Sequence, residues 1–342
     1  MRIIIDAMGG DFAPAAPVEG AVRAAEKYGV QIVLAGREED ILQELERLGH
    51  KDVPQGIEIV NTREVIEISD DAATAFKRKK DSSMTVGLTM LRDGAADGFI
   101  SAGSTGALLA GATLIVKRIR GLRRAALAPV IPTYEGRAVL IDSGANADCT
   151  SEYLLQFAYL GSFYAGRVLG KENPRVALLN IGAEAEKGDA LRLETYARLV
   201  EAHERGDINF IGNIEAKEAV LGGCDVIVAD GFSGNILLKT IEGTAKFMGG
   251  NLKKMFKTSL KTKLAYLLLK KEFAAFRSIL DPNRVGGTPI LGISKPVLKA
   301  HGSASAEAFC NAVYQAIAQV ESDIAADIAA NIDKMKAGRE TE

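Results

Sequence analysis

The chain has 342 residues, of which 47% are hydrophobic and 25% are charged, and its formal net charge is -2. This composition is typical of a globular protein with a large core and excludes an intrinsically disordered chain. The nearly neutral charge argues against a general nucleic-acid binder, because no overall positive field is available to neutralise the phosphates of a duplex.

Strand patterns and helical periodicity alternate along the chain, which is typical of an α/β fold. Short buried strands are predicted at residues 2–5, 31–35, 57–60, 98–101, 137–141, 175–180, 208–211 and 225–229. Helices are predicted at residues 17–28, 37–48, 151–169 and 190–204, with a final long helix over 304–335. Because no Pro/Gly/Ser-rich linker divides the chain, we expect one catalytic α/β domain over residues 1–342, built as a Rossmann-like α/β/α sandwich.

The cysteines and the N-terminus favour a cytoplasmic protein. Cys149, Cys224 and Cys310 are far apart and odd in number, so neither a disulfide framework nor a metal-binding spacing is predicted. Residues 3–6 already read as a strand, which is too early and too short for a signal peptide. Residues 98–116 carry no charge, but their four glycines, two serines and two threonines favour a buried strand, turn and helix start over a membrane span.

Two junctions of similar design each join an apolar strand to a helical pattern through Gly-x-x-Gly and hydroxyl side chains. They span residues 100–109 and 228–237. Free backbone N–H groups and the positive end of a helix dipole suit a phosphate at such a junction. A tight turn between a strand and a helix also needs glycine for its positive φ whether or not anything binds. One junction is therefore weak evidence, whereas two in one chain suggest an anion site.

Other polar loops are expected at the same edge of the sheet, because ligands of open α/β sheets bind beyond the carboxyl ends of the strands. These loops begin at Asp6, Asp142, Asn180 and Gly212. Turn formation explains each of them alone. Together with the two junctions they make six polar loops, which favours a binding site.

Absent motifs narrow the reaction class. The chain has no Gly-x-x-x-x-Gly-Lys-Ser/Thr, which disfavours a P-loop kinase or ATPase. It also has no Gly-x-Gly-x-x-Gly after the first strand and no Gly-x-Ser-x-Gly, which disfavours a Rossmann dehydrogenase and a serine hydrolase. Cys224 and Cys310 fit small core positions, whereas Cys149 follows a polar loop. His301 precedes a helix in a glycine-bearing loop, where it either serves an anion or proton transfer or simply packs the helix start.

Residues 251–280 form a basic amphipathic pattern. Eight lysines and arginines against one glutamate give this segment a net charge of +7, which leaves -9 on the rest of the chain. Apolar residues recur near helical spacing, among them Leu260, Leu264, Leu267 and Leu268. A helix or helical hairpin of this kind can lie on an anionic membrane. The same lysines can dock an acidic protein, and the segment can also pack on the protein body or on a second subunit.

The ordered motifs resemble those of the bacterial acyl-ACP:phosphate acyltransferase family, the PlsX family, over nearly the whole chain. They are Asp-Ala-Met-Gly-Gly-Asp at 6–11, Ser-Ala-Gly-Ser-Thr-Gly at 101–106, Asn-Ile-Gly at 180–182, Gly-Asn-Ile-Glu at 212–215, Asp-Gly-Phe-Ser-Gly-Asn at 230–235, Gly-Gly-Thr-Pro at 286–289 and His-Gly-Ser at 301–303. This chain departs from the family pattern at Phe12 and Ser104, where His and Asn are expected.

The resemblance implies transfer of a fatty acyl group from acyl carrier protein to inorganic phosphate, an early step of bacterial phospholipid synthesis, with acyl phosphate and free carrier protein as products. It implies a fold related to phosphotransacetylases and isopropylmalate dehydrogenases. From the basic amphipathic pattern itself we expect a protruding helical segment at 247–282. A cytoplasmic homodimer in peripheral contact with an anionic membrane is also implied, as is a downstream membrane glycerol-3-phosphate acyltransferase. We expect no cofactor, no metal and no nucleic-acid partner.

The same resemblance assigns roles to residues of this chain. The expected catalytic residues are Lys187, His301 and Asn235. Phosphate and thioester are expected to contact Asp6, Gly103, Ser104, Thr105, Gly106, Asn180, Asn213, Asp230, Ser233 and Gly234. The membrane is expected to contact Leu260, Leu264, Leu267 and Leu268. Phosphate is itself an oxyanion nucleophile, so the absence of a Ser or Cys triad fits direct transfer without a covalent intermediate.

Two other function classes stay open from the residues. One is a non-catalytic acyl-carrier or membrane scaffold that keeps the α/β body as a platform. The other is an NAD-dependent β-decarboxylating dehydrogenase of the same broad fold. That enzyme needs a cluster of acidic metal ligands and arginines that read a carboxylate, and the loops offer no convincing cluster of this kind.

Overall fold

The computed structural model describes residues 1–279 and 286–336, and in them the strands form two sheets. The first sheet contains β1 (Arg2–Asp6), β2 (Gln31–Gly36), β3 (Ile57–Asn61), β4 (Gly98–Ser101), β5 (Ala126–Leu127), β11 (Gly287–Leu291) and β12 (Val297–Ala300). Their order across the sheet is β3-β2-β1-β4-β12-β11-β5. The pairs from β3 to β12 are parallel, and β11 is antiparallel to both of its neighbours.

The second sheet is built from one continuous part of the chain. It contains β6 (Val130–Thr133), β7 (Gly136–Ile141), β8 (Arg175–Leu179), β9 (Asn209–Ile214) and β10 (Val226–Val228), in the order β6-β7-β10-β8-β9. Only the β6–β7 pair is antiparallel. Every strand predicted from the sequence is present, and the mixed α/β architecture is confirmed. The short strands β5, β6, β11 and β12 were not predicted.

Helices follow most of the parallel strands. They are α1 (Ala15–Tyr28), α2 (Glu38–Arg47), α3 (Ala75–Arg78), α4 (Ser83–Arg92), α5 (Thr105–Gly111), α6 (Ser151–Arg167), α7 (Ala190–Glu204), α8 (Ala216–Leu221), α9 (Gly231–Lys257), α10 (Leu260–Leu268), α11 (Lys270–Ile279), α12 (Ala306–Ser322) and α13 (Ile324–Ala330). The prediction of one helix over 304–335 is wrong. Asp323 adopts a left-handed conformation with φ of 45°, which separates α12 from α13.

The central strands are buried on both faces, as parallel strands between helical layers require. In β1, Ile3, Ile4 and Ile5 have no exposed surface, and they divide between two apolar clusters on opposite sides of the first sheet. Residues of β10 are equally buried in the second sheet. Because the strand interiors are inaccessible, polar chemistry is confined to the loops at the strand ends.

The two sheets meet where β5 leads into β6. The backbone N–H of Leu127 donates to Oδ1 of Asp142 at 2.9 Å, and the N–H of Ser143 donates to the carbonyl oxygen of Leu127 at 3.1 Å. These bonds join the edge of the first sheet to the carboxyl end of β7. The shared backbone contacts support our proposal that residues 1–342 form one domain.

Candidate active site

Three glycine-rich loops meet at the carboxyl edge of the first sheet, because β1, β4 and β12 are neighbouring parallel strands. A Cβ on Gly9 would lie 2.6 Å from Oδ2 of Asp6 and 2.7 Å from the backbone nitrogen of Gly103. The N–H of Asp11 donates to the carbonyl oxygen of Gly302 at 2.7 Å. Glycine at position 9 is therefore required for the first two loops to approach so closely.

Asp6 lies beneath these loops and is 2% exposed. Its Oδ1 accepts a hydrogen bond from the Met8 N–H at 3.1 Å, and its Oδ2 accepts one from Oγ of Ser101 at 2.6 Å. Oγ of Ser101 in turn accepts the Gly103 N–H at 3.0 Å. Burial raises the pKa of Asp6, while hydrogen bonds from Ser101 and Ser83 oppose that rise. The carboxyl group thus supports the β4 loop from below.

The β4 loop presents its next residues to the surface. Ser104 caps α5, with its Oγ accepting the Ala107 N–H at 3.4 Å, and Thr105 and Gly106 are exposed. The first N–H groups of a helix have no partner within that helix. Ser104, Thr105 and Gly106 therefore lie at an edge where backbone N–H groups and hydroxyl groups could bind an anion, and their predicted contact with phosphate stays a prediction.

Lys299 on β12 is a further residue of this edge, and the sequence analysis missed it. Its Nζ donates to the carbonyl oxygen of Ala102 at 3.2 Å and also to that of Ala300. Burial lowers the pKa of Lys299 to about 8, against the opposing influence of Asp6 and Asp11. The signal in the sequence was a single lysine in the otherwise apolar strand directly before His301.

His301 begins the loop after β12 and is exposed. Its Nδ1 accepts the Ser303 N–H at 3.2 Å, so a neutral ring carries its proton on Nε2. Partial burial lowers the pKa of His301. The charges of Lys239 and Lys246 on α9 lower it further, and Glu242 on the same helix raises it. Charged side chains of α9 are therefore close enough to His301 to influence its protonation.

The second Gly-x-x-Gly junction begins α9, and its first residue is a carboxylate. Oδ1 of Asp230 accepts the Ser233 N–H at 2.8 Å, and Oδ2 accepts the Ser233 hydroxyl at 2.9 Å. Arg192 on α7 also donates to Oδ2 of Asp230 and to Oγ of Ser233, the latter at 3.1 Å. Burial alone would raise the pKa of Asp230, but the hydrogen bonds from Ser233 and the charge of Arg192 lower it. The start of α9 is therefore already occupied by a negatively charged group, the Asp230 carboxylate.

The glycines of this junction serve close packing. A Cβ on Gly234 would lie 1.9 Å from the carbonyl oxygen of Asp142, and one on Gly231 would lie 2.6 Å from that of Asn146. A Cβ on Gly144 would lie 3.6 Å from Oδ1 of Asn235, so the Asn235 side chain is close to Gly144. The structural explanation of Gly-x-x-Gly is thus sufficient at the second junction, and the β4 loop is the better candidate for phosphate.

Asp142 organises the loop on which α9 packs. Its carboxylate is fully buried and accepts backbone N–H groups from Leu127, Ser143, Gly144, Ala145 and Asn146. Burial raises the pKa of Asp142, and these donors oppose that rise. The sequence analysis placed this loop at the edge but did not identify its carboxylate as an internal anchor.

Two asparagines secure the loop that carries Lys187. Nδ2 of Asn180 donates to the carbonyl oxygen of Lys187 at 3.0 Å, and Nδ2 of Asn213 donates to that of Glu184 at 2.8 Å. Lys187 itself is exposed. The structure therefore brings Asn180 and Asn213 together at the ends of the neighbouring strands β8 and β9, where they hold the backbone that positions Lys187.

The cysteines do not resemble activated nucleophiles. Burial raises the pKa of both Cys149 and Cys224 to about 12. The Cys149 thiol contacts the carbonyl oxygen of Asn146 at 3.4 Å. A thiolate is disfavoured at both positions. Within residues 1–279 and 286–336 there is also no group of three or more His, Cys, Asp or Glu side chains that could hold a metal ion.

The basic segment folds as three consecutive helices, of which α9 begins inside the site. Phe256, Tyr266 and Phe273 pack against one another, with ring centroids 5.3 to 5.7 Å apart. The side chains of α10 include no buried residue. The leucines predicted to contact a membrane are exposed by 59% to 84%, namely Leu260, Leu264, Leu267 and Leu268. Positions 280–282 of the predicted 247–282 segment lie outside the described residues.

In the described part of the chain, no helix has both the length and the apolar character that crossing a bilayer requires.

Comparison with known proteins identifies the family of this chain. The model of the family described as "Fatty acid synthesis protein" matches residues 1–327. A phosphate acyltransferase of Alkaliphilus oremlandii is 46% identical over 315 residues, which cover 92% of each chain. One of Clostridioides difficile is 44% identical over 316 residues, covering 92% of this chain and 91% of the other.

Solved structures show the same fold at low identity. A phosphotransacetylase of Streptococcus pyogenes superposes with a TM-score of 0.65 at 20% identity, over 94% of both chains. The EutD phosphotransacetylase of Staphylococcus aureus gives a TM-score of 0.61 at 17% identity, again over 94% of both chains. A 4-hydroxythreonine-4-phosphate dehydrogenase of Klebsiella pneumoniae gives 0.53 at 14% identity, over 95% of this chain and 99% of the other. These likenesses confirm the predicted fold relation to phosphotransacetylases. On the sequence matches, the chain belongs to the fatty acid synthesis protein family and, like its curated relatives, is an acyltransferase.

Proposed function

We propose that this chain transfers a fatty acyl group from acyl carrier protein to inorganic phosphate and releases acyl phosphate and free carrier protein. The observation that carries the proposal is the convergence of the β1, β4 and β12 loops at one edge of the first sheet, where Asp6, Ser101 and the 103–106 loop lie together. This arrangement offers a phosphate loop, and the start of α9 is the proposed polar wall for the thioester. Its relatives' name, phosphate acyltransferase, supports the same reaction.

In the proposed reaction, a phosphate oxygen attacks the thioester carbonyl carbon. A tetrahedral oxyanion forms, the C–S bond then breaks, and the thiolate of the carrier's prosthetic group leaves and takes up the proton that hydrogen phosphate gives up. Backbone N–H groups of residues 104–106 bind phosphate, because the Gly103 N–H already donates to Oγ of Ser101, and the hydroxyls of Ser104 and Thr105 are additional donors. Phosphate is the nucleophile, which accords with the disfavoured thiolate of Cys149.

Residues of the β12 loop and of the start of α9 stabilise the charges that develop during the reaction. His301, with its proton on Nε2, donates to the tetrahedral oxyanion, and Asn235 donates from the start of α9. Lys187 offsets the charge of the departing thiolate, while Asn180 and Asn213 hold its loop. Ser233, Gly234 and Asp230 shape the wall that faces the thioester. These roles extend the predicted assignments and await test.

The helices α9 to α11 are the proposed contact with an anionic membrane. Their exposed leucines and lysines suit insertion of an apolar face among anionic head groups. Acyl carrier protein, which is acidic, docks on nearby basic surface in this proposal. We further propose a cytoplasmic homodimer that associates peripherally with the membrane and hands acyl phosphate to a membrane glycerol-3-phosphate acyltransferase.

Incubation of the purified chain with acyl-ACP and labelled phosphate tests the reaction directly. We expect labelled acyl phosphate and free carrier protein in equal amounts. A non-catalytic scaffold gives neither product, and a dehydrogenase of this fold reduces NAD with a hydroxy acid instead. Rapid quenching followed by mass analysis tests direct transfer, since an acyl group trapped on Cys149 would contradict it.

Vesicle sedimentation tests the membrane proposal. Replacement of Leu260, Leu264 and Leu268 by Gln removes apolar contact without changing charge, so we expect loss of sedimentation with vesicles of anionic phospholipid. Leu221, which is 53% exposed at the end of α8, provides the matched Leu→Gln control. Unchanged sedimentation of the triple variant would refute membrane contact through α10.

A further inference from the structure

Lys299 is a mostly buried cation to which the proposed reaction assigns no role. Its strand, β12, lies directly beside β4, and its Nζ donates to the carbonyl oxygen of Ala102 at 3.2 Å. Ala102 immediately precedes Gly103. A lysine amine has three donors, so the contacts to Ala102 and Ala300 leave it one more. The amine thereby fixes the point from which the β4 loop leaves the sheet.

The charges around this amine are mostly negative. Asp6 on β1 and Asp11 in the following loop both favour its protonated form, and Lys239 on α9 opposes it. Asp6 is the buried carboxyl that supports the β4 loop through Ser101. Without a cation among them, these two carboxylates would repel a phosphate held by residues 104–106.

We propose that Lys299 is a phosphate-positioning residue, which fixes the 103–106 loop through the Ala102 carbonyl and offsets the charges of Asp6 and Asp11. This inference rests on the proposed phosphate acyltransferase activity. It makes phosphate affinity depend on one ammonium group. The amide and hydroxyl donors of the loop supply direction, and Lys299 supplies the positive charge that these neutral donors lack.

The proposal predicts a pH dependence of the KM for phosphate that the KM for acyl-ACP does not share. The pKa of Lys299 is about 8, so its charge is present below that pH and is lost as the pH rises through it. The KM for phosphate should therefore increase between about pH 7 and about pH 9, while the KM for acyl-ACP should change little. A Lys299→Arg variant keeps its charge over this range.

The experiment compares Lys299→Met, Lys299→Arg and the wild-type chain. We expect Lys299→Met to raise the phosphate KM roughly tenfold or more with a smaller change in kcat, and Lys299→Arg to restore affinity and flatten its pH dependence. Asp11→Asn in the Lys299→Met background should recover part of the loss, because one repelling charge is gone. Lys51→Met, at an exposed lysine before β3, is the matched control.

Calorimetric titration with inorganic phosphate alone gives a second measurement that does not need turnover. If wild-type protein forms no acyl phosphate, the proposed function fails, and the titrations still decide the role of Lys299. An unchanged phosphate affinity in Lys299→Met overturns the inference. If Lys299→Met does not fold, the wild type and Lys299→Arg are compared instead. Phosphate itself titrates equally in both, so only a difference in the pH dependence of their phosphate KM can come from Lys299. An equal pH dependence therefore overturns the inference.

Discussion

Gly234 offers the sharpest test of how the second junction is built. An alanine there would place its Cβ 1.9 Å from the carbonyl oxygen of Asp142, whereas an ordinary carbon–oxygen contact is about 3.3 Å or longer. The obstacle is backbone, so the start of α9 must move by more than an ångström. Overpacking of this kind costs about 1–3 kcal/mol and occasionally more. We expect Gly234→Ala to lower the free energy of unfolding by about 3 kcal/mol.

Gly243 on the same helix provides the control, because a Cβ at that position meets nothing within 4 Å. Gly243→Ala should raise the free energy of unfolding by about 0.5–1 kcal/mol through helix propensity. Urea unfolding followed by circular dichroism measures both, and acyl phosphate formation reports the displacement of Ser233 and Asn235 in Gly234→Ala. A Gly234→Ala protein with wild-type stability and activity would refute the packing argument.

Three further predictions follow from the buried polar groups. Asp142→Asn puts amide donors against backbone N–H groups and should lower the free energy of unfolding by about 2–4 kcal/mol in urea; no loss would show that the carboxylate is not an anchor. Arg192→Met leaves Asp230 without its cation and should raise the pKa of that carboxyl. We expect the free energy of unfolding to fall by about 1–3 kcal/mol, with the largest loss at neutral pH. If the variant and the wild type have equal free energies of unfolding at every pH, the prediction is wrong. Cys149→Ser should keep acyl phosphate formation within about threefold of wild type, and abolished turnover would reinstate a thiol nucleophile.

Sequence patterns predicted β1 and β4 and the polar loops that follow them, because apolar runs and turn residues are visible locally in the sequence, but they did not predict β12. They did not predict the division into two sheets, since periodicity identifies a strand without saying which strand pairs with it. β5 has only two residues and offers no periodicity at all. The break at Asp323 was also hidden, because a left-handed residue other than glycine carries no clear signal in the sequence.

The candidate site shows the same limit. Gly106 and Gly234 occupy the same position in the two junctions, but Gly106 is exposed and a Cβ there would meet only Cβ of Ala72 at 3.5 Å, whereas a Cβ on Gly234 would lie 1.9 Å from the carbonyl oxygen of Asp142. Lys299 was missed for a related reason. A lone lysine in a strand usually reaches solvent, and its burial here depends on the Ala102 carbonyl and on carboxyl groups nearly three hundred residues away in the chain.

The strand order of the first sheet has a consequence for synthesis. β12 lies between β4 and β11, so the last of the described strands to leave the ribosome is an interior strand beside the central β4. The second sheet, by contrast, is formed by uninterrupted chain between Val130 and Val228 and can pair its strands earlier. Until residue 300 has emerged, β4 keeps an open edge and the phosphate loop lacks Lys299. We therefore expect a chain that ends before β12 to form no acyl phosphate, because it lacks both the strand that pairs with β4 and Lys299.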